Sequence, residues 1–327
     1  MVKPCLAFQS LGRRALLQSL LVSGAGLMSA RHAMASDDPA RSLAVVYPDI
    51  GEPFRSVFAA IIEGVEDRVK GRVVSFALGV AGNPQDVLNE LRRREIRAVI
   101  ALGRNGLKLA ASLDRQVSVV AAGVLSVPEG EAQAFPVYSL APDPALLFAR
   151  LRALNPAVKK VMVVYDPRQN AWLIKLARDA AKGAGVELQT YEAEDLRTAV
   201  RAYQEALASA DPRRDALWLP QDSTTVEDSA VLPLVLRQAW NQSLTVFSSS
   251  VTHVKRGVLF ALYPNNTELG RVLAGVALAQ LGASAGTPRG VLALRDVLLA
   301  VNTRTANHLG LSLEASPLRF SLVYPEP

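Results

Sequence analysis

From Ser42 onward, short apolar runs alternate with longer stretches in which apolar residues recur every three or four positions. "SLAVVYP" reads as a strand. Phe54 to Val69 reads as a helix with Phe54, Val57, Phe58, Ile61, Ile62 and Val65 on one face. "RVVSFAL" predicts a second strand, and "PQDVLNELRRR" a helix with Pro84 at its start. "AVIALG", "VSVVAAG" and "FPVYSL" continue the strands, with a helix from Asn105 to Leu113 after the first of them. Strands that are apolar on both faces, separated by helices, argue for a parallel sheet covered on each side.

The pattern then restarts. "KKVMVVYDP" is a strand, Ala171 to Ala184 a helix, "VELQTY" a strand, Asp195 to Ser209 a helix and "DALWLP" a strand. A helical region runs on to Trp240, where Pro233 should kink or restart it. "LTVFSSS" and "GVLFALYP" close the second set. Asn266 to Leu281 is a further helix, "DVLLAVN" a strand, "TRTANHLG" a short helix and "RFSLVYP" a closing strand. These late elements have no partner in either set, so they complete both. The expected fold is therefore α/β: two doubly wound parallel-sheet lobes joined by a multi-crossing hinge. The N-terminal lobe takes residues 42–139 plus 263–293, and the C-terminal lobe takes 140–262 plus 294–327. In such sheets ligands sit beyond the carboxyl ends of the strands, where helix starts favour anions.

Charge changes the picture only through the N-terminus. The chain of 327 residues has a formal charge of +6, which alone would suggest a nucleic-acid partner. However, residues 1–35 read as an export signal. Lys3, Arg13 and Arg14 are followed by an apolar stretch from Ala15 to Met28, and Ala33-Met34-Ala35 fits a cleavage site. Cleavage there also removes Arg31, and four fewer bases leave +2. No nucleic-acid partner is expected. Arg13-Arg14 fits twin-arginine export and an ordinary secretory n-region equally. Cys5, the single cysteine, lies inside the signal, so the mature chain has no disulfide or thiolate metal site. A soluble periplasmic monomer is expected.

Chemistry is sparse. No H-E-x-x-H, G-x-S-x-G, G-x-x-x-x-G-K-[ST] or G-x-G-x-x-G occurs. "FSSSVTH" sets serines close before His253, but a hydrolase needs a third group to orient the base, and the sequence does not show one. No catalytic residue, cofactor or metal is expected. What remains is polar residues at strand ends. Asp222 and Ser223 serve as a helix N-cap or receive a ligand amine or hydroxyl. Ser248 and Ser249 cap the following turn or touch a ligand. Arg104 could hold a ligand carboxylate bidentately, or be a solvated surface arginine. Tyr47, Tyr165 and Tyr263 end strands, to stack on a ligand or finish the core. Asp49 and Gln221, beside such ends, join the candidates.

The segments "LNPAVKKVMVVYDPRQNAW", "DALWLPQDSTTV", "VFSSSVTHVKRGVLFALYPNNTELGR" and "LLAVNTRTANHLGLSL" resemble the substrate-binding proteins of ABC importers of the tryptophan/tyrosine type. The resemblance implies a type I periplasmic-binding-protein-like fold. It points to Asp222 in Pro220-Gln221-Asp222-Ser223, to Ser248-Ser249 and to Asn170 as ligand contacts. The first lobe departs from the pattern. Gly103-Arg104-Asn105 stands where the family has glycine-threonine-proline, and "GVLSVPEG" lacks the family's aspartate. Specificity therefore does not carry over. The expected function is binding of a small organic ligand, amino-acid-like or a carboxylate, between two lobes, followed by delivery to an ABC permease in the inner membrane. The alternative is the ligand-sensing subunit of a membrane sensor protein.

Overall fold

The computed structural model describes residues 42–79, 83–127, 133–282, 289–313 and 317–326. The expected export signal, Cys5 and part of "GVLSVPEG" lie outside the described residues. The first set of elements is β1 (Leu43–Pro48), α1 (Phe54–Val69), β2 (Val74–Leu78), α2 (Pro84–Arg93), β3 (Ala98–Leu102), α3 (Gly103–Ala110), β4 (Ser118–Val124) and β5 (Pro136–Pro142). The second set is α4 (Pro144–Leu154), β6 (Lys160–Tyr165), α5 (Pro167–Ala184), β7 (Glu187–Glu192), α6 (Leu196–Ala208), β8 (Asp215–Leu219), α7 (Val231–Gln242), β9 (Thr245–Ser248), α8 (Val251–Lys255) and β10 (Phe260–Pro264). There follow α9 (Asn266–Gly282), β11 (Gly290–Leu294), β12 (Val297–Asn302), α10 (Thr303–His308) and β13 (Leu322–Tyr324).

The strands form two sheets, in the orders β11-β5-β4-β3-β1-β2 and β13-β12-β10-β9-β8-β6-β7. Every pairing is parallel except β10 with β12. β3 and β8 are buried along their whole length, as strands covered on both faces must be. The doubly wound two-lobe architecture read from the sequence is the one observed. In the second lobe, Phe148 packs edge-on against Trp218 and Phe247, and Trp218, Phe247 and Phe260 stack in sequence. In the first lobe, α1 crosses α9 at Gly64 and Gly270, where a Cβ on either would overlap the carbonyl oxygen of Thr267 or Ile61 respectively. Only glycine lets two helix backbones approach this closely.

Some local expectations are corrected. The helix after β3 starts at Gly103, not Asn105, so Gly103, Arg104 and Asn105 form its first turn. Pro233 restarts the chain inside the first turn of α7, where its missing N–H is harmless. Phe54 is 59% exposed, because the first turn of α1 stands at the strand ends and has no core beneath it.

The chain crosses between sheets three times: after β5, after β10 and between β11 and β12. β5 runs to Pro142, β10 to Pro264 and β11 to Leu294, and the crossings follow directly. All three leave from strand carboxyl ends. Asp143 N–H donates to Leu294 O at 2.8 Å and Asn265 N–H to Asp296 O at 2.9 Å, which ties the crossings together. The carboxyl edges of both sheets therefore border the junction between the lobes.

Candidate functional site

Strand order sets the depth of each loop in that junction. Gly103 follows β3, two strands in from the crossing strand β5, and Gln221 follows β8, two strands in from the crossing strand β10. At ordinary strand spacing each loop stands about 10 Å from its hinge strand. Tyr47 lies near the end of β1, Asp49 follows it and Asn170 follows β6, each one strand further out; Ser248 ends β9, one strand nearer. Among the described residues no hydrogen bond or ion pair joins the first group to the second. Tyr263 lies near the end of β10 beside the crossing itself, half-buried against the cluster of Val254, Ala261 and Ala300.

In the second lobe most of these polar groups are already engaged. Asp222 is 5% exposed. Its Oδ2 accepts from Asp166 N–H at 2.7 Å and Asn170 Nδ2 at 2.9 Å, and its Oδ1 accepts from the N–H groups of Thr224 at 3.0 Å and Thr225 at 2.9 Å. Four donors fill the four lone-pair positions of a carboxylate. The capping role is filled by Thr224 and Thr225, and the bonds from Asp166 and Asn170 tie the end of β6 to the end of β8. Asn170 Nδ2 also donates to Gln221 O. Asp166, which caps α5, accepts from the Arg168 guanidinium at 2.7 and 2.9 Å, from Thr224 Oγ1 at 2.9 Å and from Gln169 Nε2. The Arg168 hydrogen bonds hold its carboxyl well below the usual carboxylate range, against the opposing effect of burial. Ser223 turns its N–H and Oγ to Gln169 Oε1.

The serines are likewise internal. Ser248 has no exposed surface. Its Oγ lies 2.8 Å from His253 Nδ1 and 3.0 Å from Leu219 O, and it accepts from Ser250 N–H. Burial pushes the imidazole of His253 down in pKa, against the opposing effect of Asp228, whose Oδ1 lies 3.7 Å from Nε2. Ser249 Oγ accepts from Trp218 Nε1 at 3.1 Å, satisfying the one polar atom of the aromatic stack. Tyr165 goes to the core, its hydroxyl donating to Glu192 at 2.7 Å. Gln221 differs from its neighbours: its Oε1 is buried with no donor, a condition that costs about 1–3 kcal/mol unless a partner arrives.

The first lobe is arranged otherwise. Gly103 adopts φ +68°, and a Cβ there would meet Pro48 Cγ at 3.0 Å; at Gly123, φ +77°, it would meet Gly103 N at 3.1 Å. Backbone proximity, not side-chain hydrogen bonding, shapes this edge. Tyr47 is half-buried against the α1 side of the sheet. Asp49, Arg104 and Asn105 are exposed, and Arg104 makes no ion pair or hydrogen bond among the described residues.

Three further residues were not among the expected ligand contacts. Asp166, Gln169 and Thr224 complete the brace, and Asp166-Pro167 was a capping signal that could have revealed the first. Among the described residues no group of three His, Cys, Asp or Glu side chains is placed to hold a metal.

The profile of the ABC transporter substrate-binding protein family matches residues 149–319, just over half of the chain. The chain belongs to that family. Solved structures of the same fold include a conserved domain protein from Vibrio cholerae (18% identity, TM-score 0.52). A second is an ABC domain from Streptococcus pneumoniae in complex with L-Trp (16%, 0.53). A third is the open, ligand-free structure of CD0873, a substrate-binding protein with adhesive properties from Clostridium difficile (14%, 0.60). Each alignment covers 86% of this chain and 99% of the other. At these identities they speak for the fold alone. No curated protein matches the chain. No described helix is long and apolar enough to cross a membrane.

Proposed function

We propose that this family member holds a small organic ligand between its two lobes and delivers it to an ABC permease. The observation that carries the reading is the matched depth of two unsatisfied groups. Arg104 stands two strands in from the hinge in one lobe, and Gln221 with its unpaired Oε1 stands at the same depth in the other. A ligand spanning them supplies an anion to the guanidinium and a donor to the amide oxygen. Such a ligand has differential affinity for the closed arrangement, which is what drives closure. A free guanidinium supports a ligand carboxylate. The streptococcal relative holds an amino acid, which has both groups. Asp222 is a brace in this reading, with Asn170 behind it, and Ser248 and Ser249 are core.

The ligand meets the protein outside the cytoplasm, after export directed by residues 1–35. The test is mass spectrometry of what co-purifies with the mature chain, followed by small-angle scattering with that compound added back. Compaction on binding, weakened about tenfold or more by Arg104→Ala, is the expected result. Binding without compaction, or unchanged affinity in the variant, overturns the reading. Recovery of a sensor protein instead of a permease from solubilised membranes overturns the delivery step.

A further inference from the structure

A crevice of about 650 Å³ lies within the first lobe, between α2 and α3 at the carboxyl end of β2. Leu78, Val87 and Leu109 give it an apolar wall, and Asn83, Asn105 and Lys108 are among the polar groups that line it. Its size is that of an ordinary small-molecule site, as is its mixture of an apolar wall and a few polar groups. None of its described lining residues is acidic. Lys108 makes no ion pair among the described residues. Arg104 stands one helical turn earlier on α3, and it too has no acidic partner. Like charges at this spacing repel, and nothing on α3 offsets them; the nearest acids are Asp49, whose Oδ2 would lie 3.9 Å from a Cβ on Gly79, and Asp86 in the first turn of α2.

We propose that this crevice binds a small amphipathic anion, its apolar body against Leu78, Val87 and Leu109 and its anionic group on Lys108. Asn105 offers a hydrogen bond at the same rim. Charge complementarity selects the anion: Lys108 is the one charged side chain among the described lining residues. All the lining residues belong to one lobe, so occupancy does not depend on lobe closure and does not rest on the function proposed above.

The test uses three probes that share a body and differ in head group: 4-phenylbutyrate, 4-phenylbutanol and 4-phenylbutylamine, titrated calorimetrically into the mature chain. Lys108 and Ser112 are exposed, so Lys108→Glu and Ser112→Trp change the rim without touching the core. The expected result is that the carboxylate binds at least tenfold more tightly than the alcohol, that the amine binds most weakly, and that each variant removes carboxylate binding. The proposal is overturned if the three probes bind alike or if the carboxylate gives no binding at about 1 mM. It is also overturned if both variants bind the carboxylate as the parent does, since the compound then sits elsewhere.

Discussion

At the end of β8, Asp222 gathers four donors from two loops and is shut away from solvent. At the end of β3, the equivalent place in the other sheet, Gly103 turns through a left-handed conformation against Pro48, and the next two side chains are exposed. The two edges share topology and depth but not the means by which they are held. One is braced by buried carboxylates, and most of its polar groups, though not Gln221 Oε1, have partners within the lobe. The other is shaped by glycine backbone, and Arg104, Asn105 and, one turn on, Lys108 are exposed there. Polar residues at a strand end are therefore not equal evidence for a ligand. What matters is whether their hydrogen-bonding capacity is already filled.

The largest test of this contrast is Asp222→Ala. It strands four donors at a buried point, and urea denaturation should show a loss of about 3 kcal/mol. A loss below about 1 kcal/mol would mean the brace is dispensable and the contrast wrong. Gly103→Ala should cost about 2 kcal/mol, since an L side chain resists that φ and must also displace Pro48; Arg104 is untouched by the change. A neutral result would show that the glycine geometry is not what holds the first edge.

Acid titration sharpens the comparison further. The folded pKa of Asp166 is depressed, so its contribution is present above the unfolded value near 3.9 and is lost as pH falls through the folded value. The parent should lose stability below about pH 4 more steeply than Asp166→Asn; parallel curves would remove Asp166 from the brace. At the hinge the sign reverses. Burial, and then Glu268, push Asp296 up in pKa. Its stabilising effect is present below the unfolded value and is lost as pH rises through the folded one. Asp296→Asn should therefore raise the midpoint of thermal unfolding at pH 7 and have little effect near pH 4; a lowered midpoint at pH 7 would contradict this. The smallest expected effect is on the stability of Arg104→Ala, within about 0.5 kcal/mol of the parent. A larger loss would mean that the arginine serves the fold.

The order of strands and helices was legible because burial on both faces leaves continuous apolar runs, and proline, aspartate and glycine mark helix ends. Asn302 illustrates how far this goes. Within "AVNTRTANHLG" it caps α10 through Thr305 N–H and holds Val254 O with its amide, so a segment that carried the family resemblance also serves packing. The candidate site was legible only in part. Asp222 could be read as cap or contact, and nothing local distinguishes them: two of its four partners, Asp166 and Asn170, are more than fifty residues away. The same holds for Ser249, whose partner is the indole of Trp218 on a neighbouring strand.

What the sequence by itself determined is therefore the alternation, the two-lobe plan and the location of polar groups at strand carboxyl ends. These follow from hydrophobic period and backbone preference, which act over a few residues. What only the tertiary structure decided is which of those groups are occupied. A hydrogen-bonding site is filled by whatever the fold brings within about 3 Å. That proximity is set by how strands distant in the chain come to lie side by side.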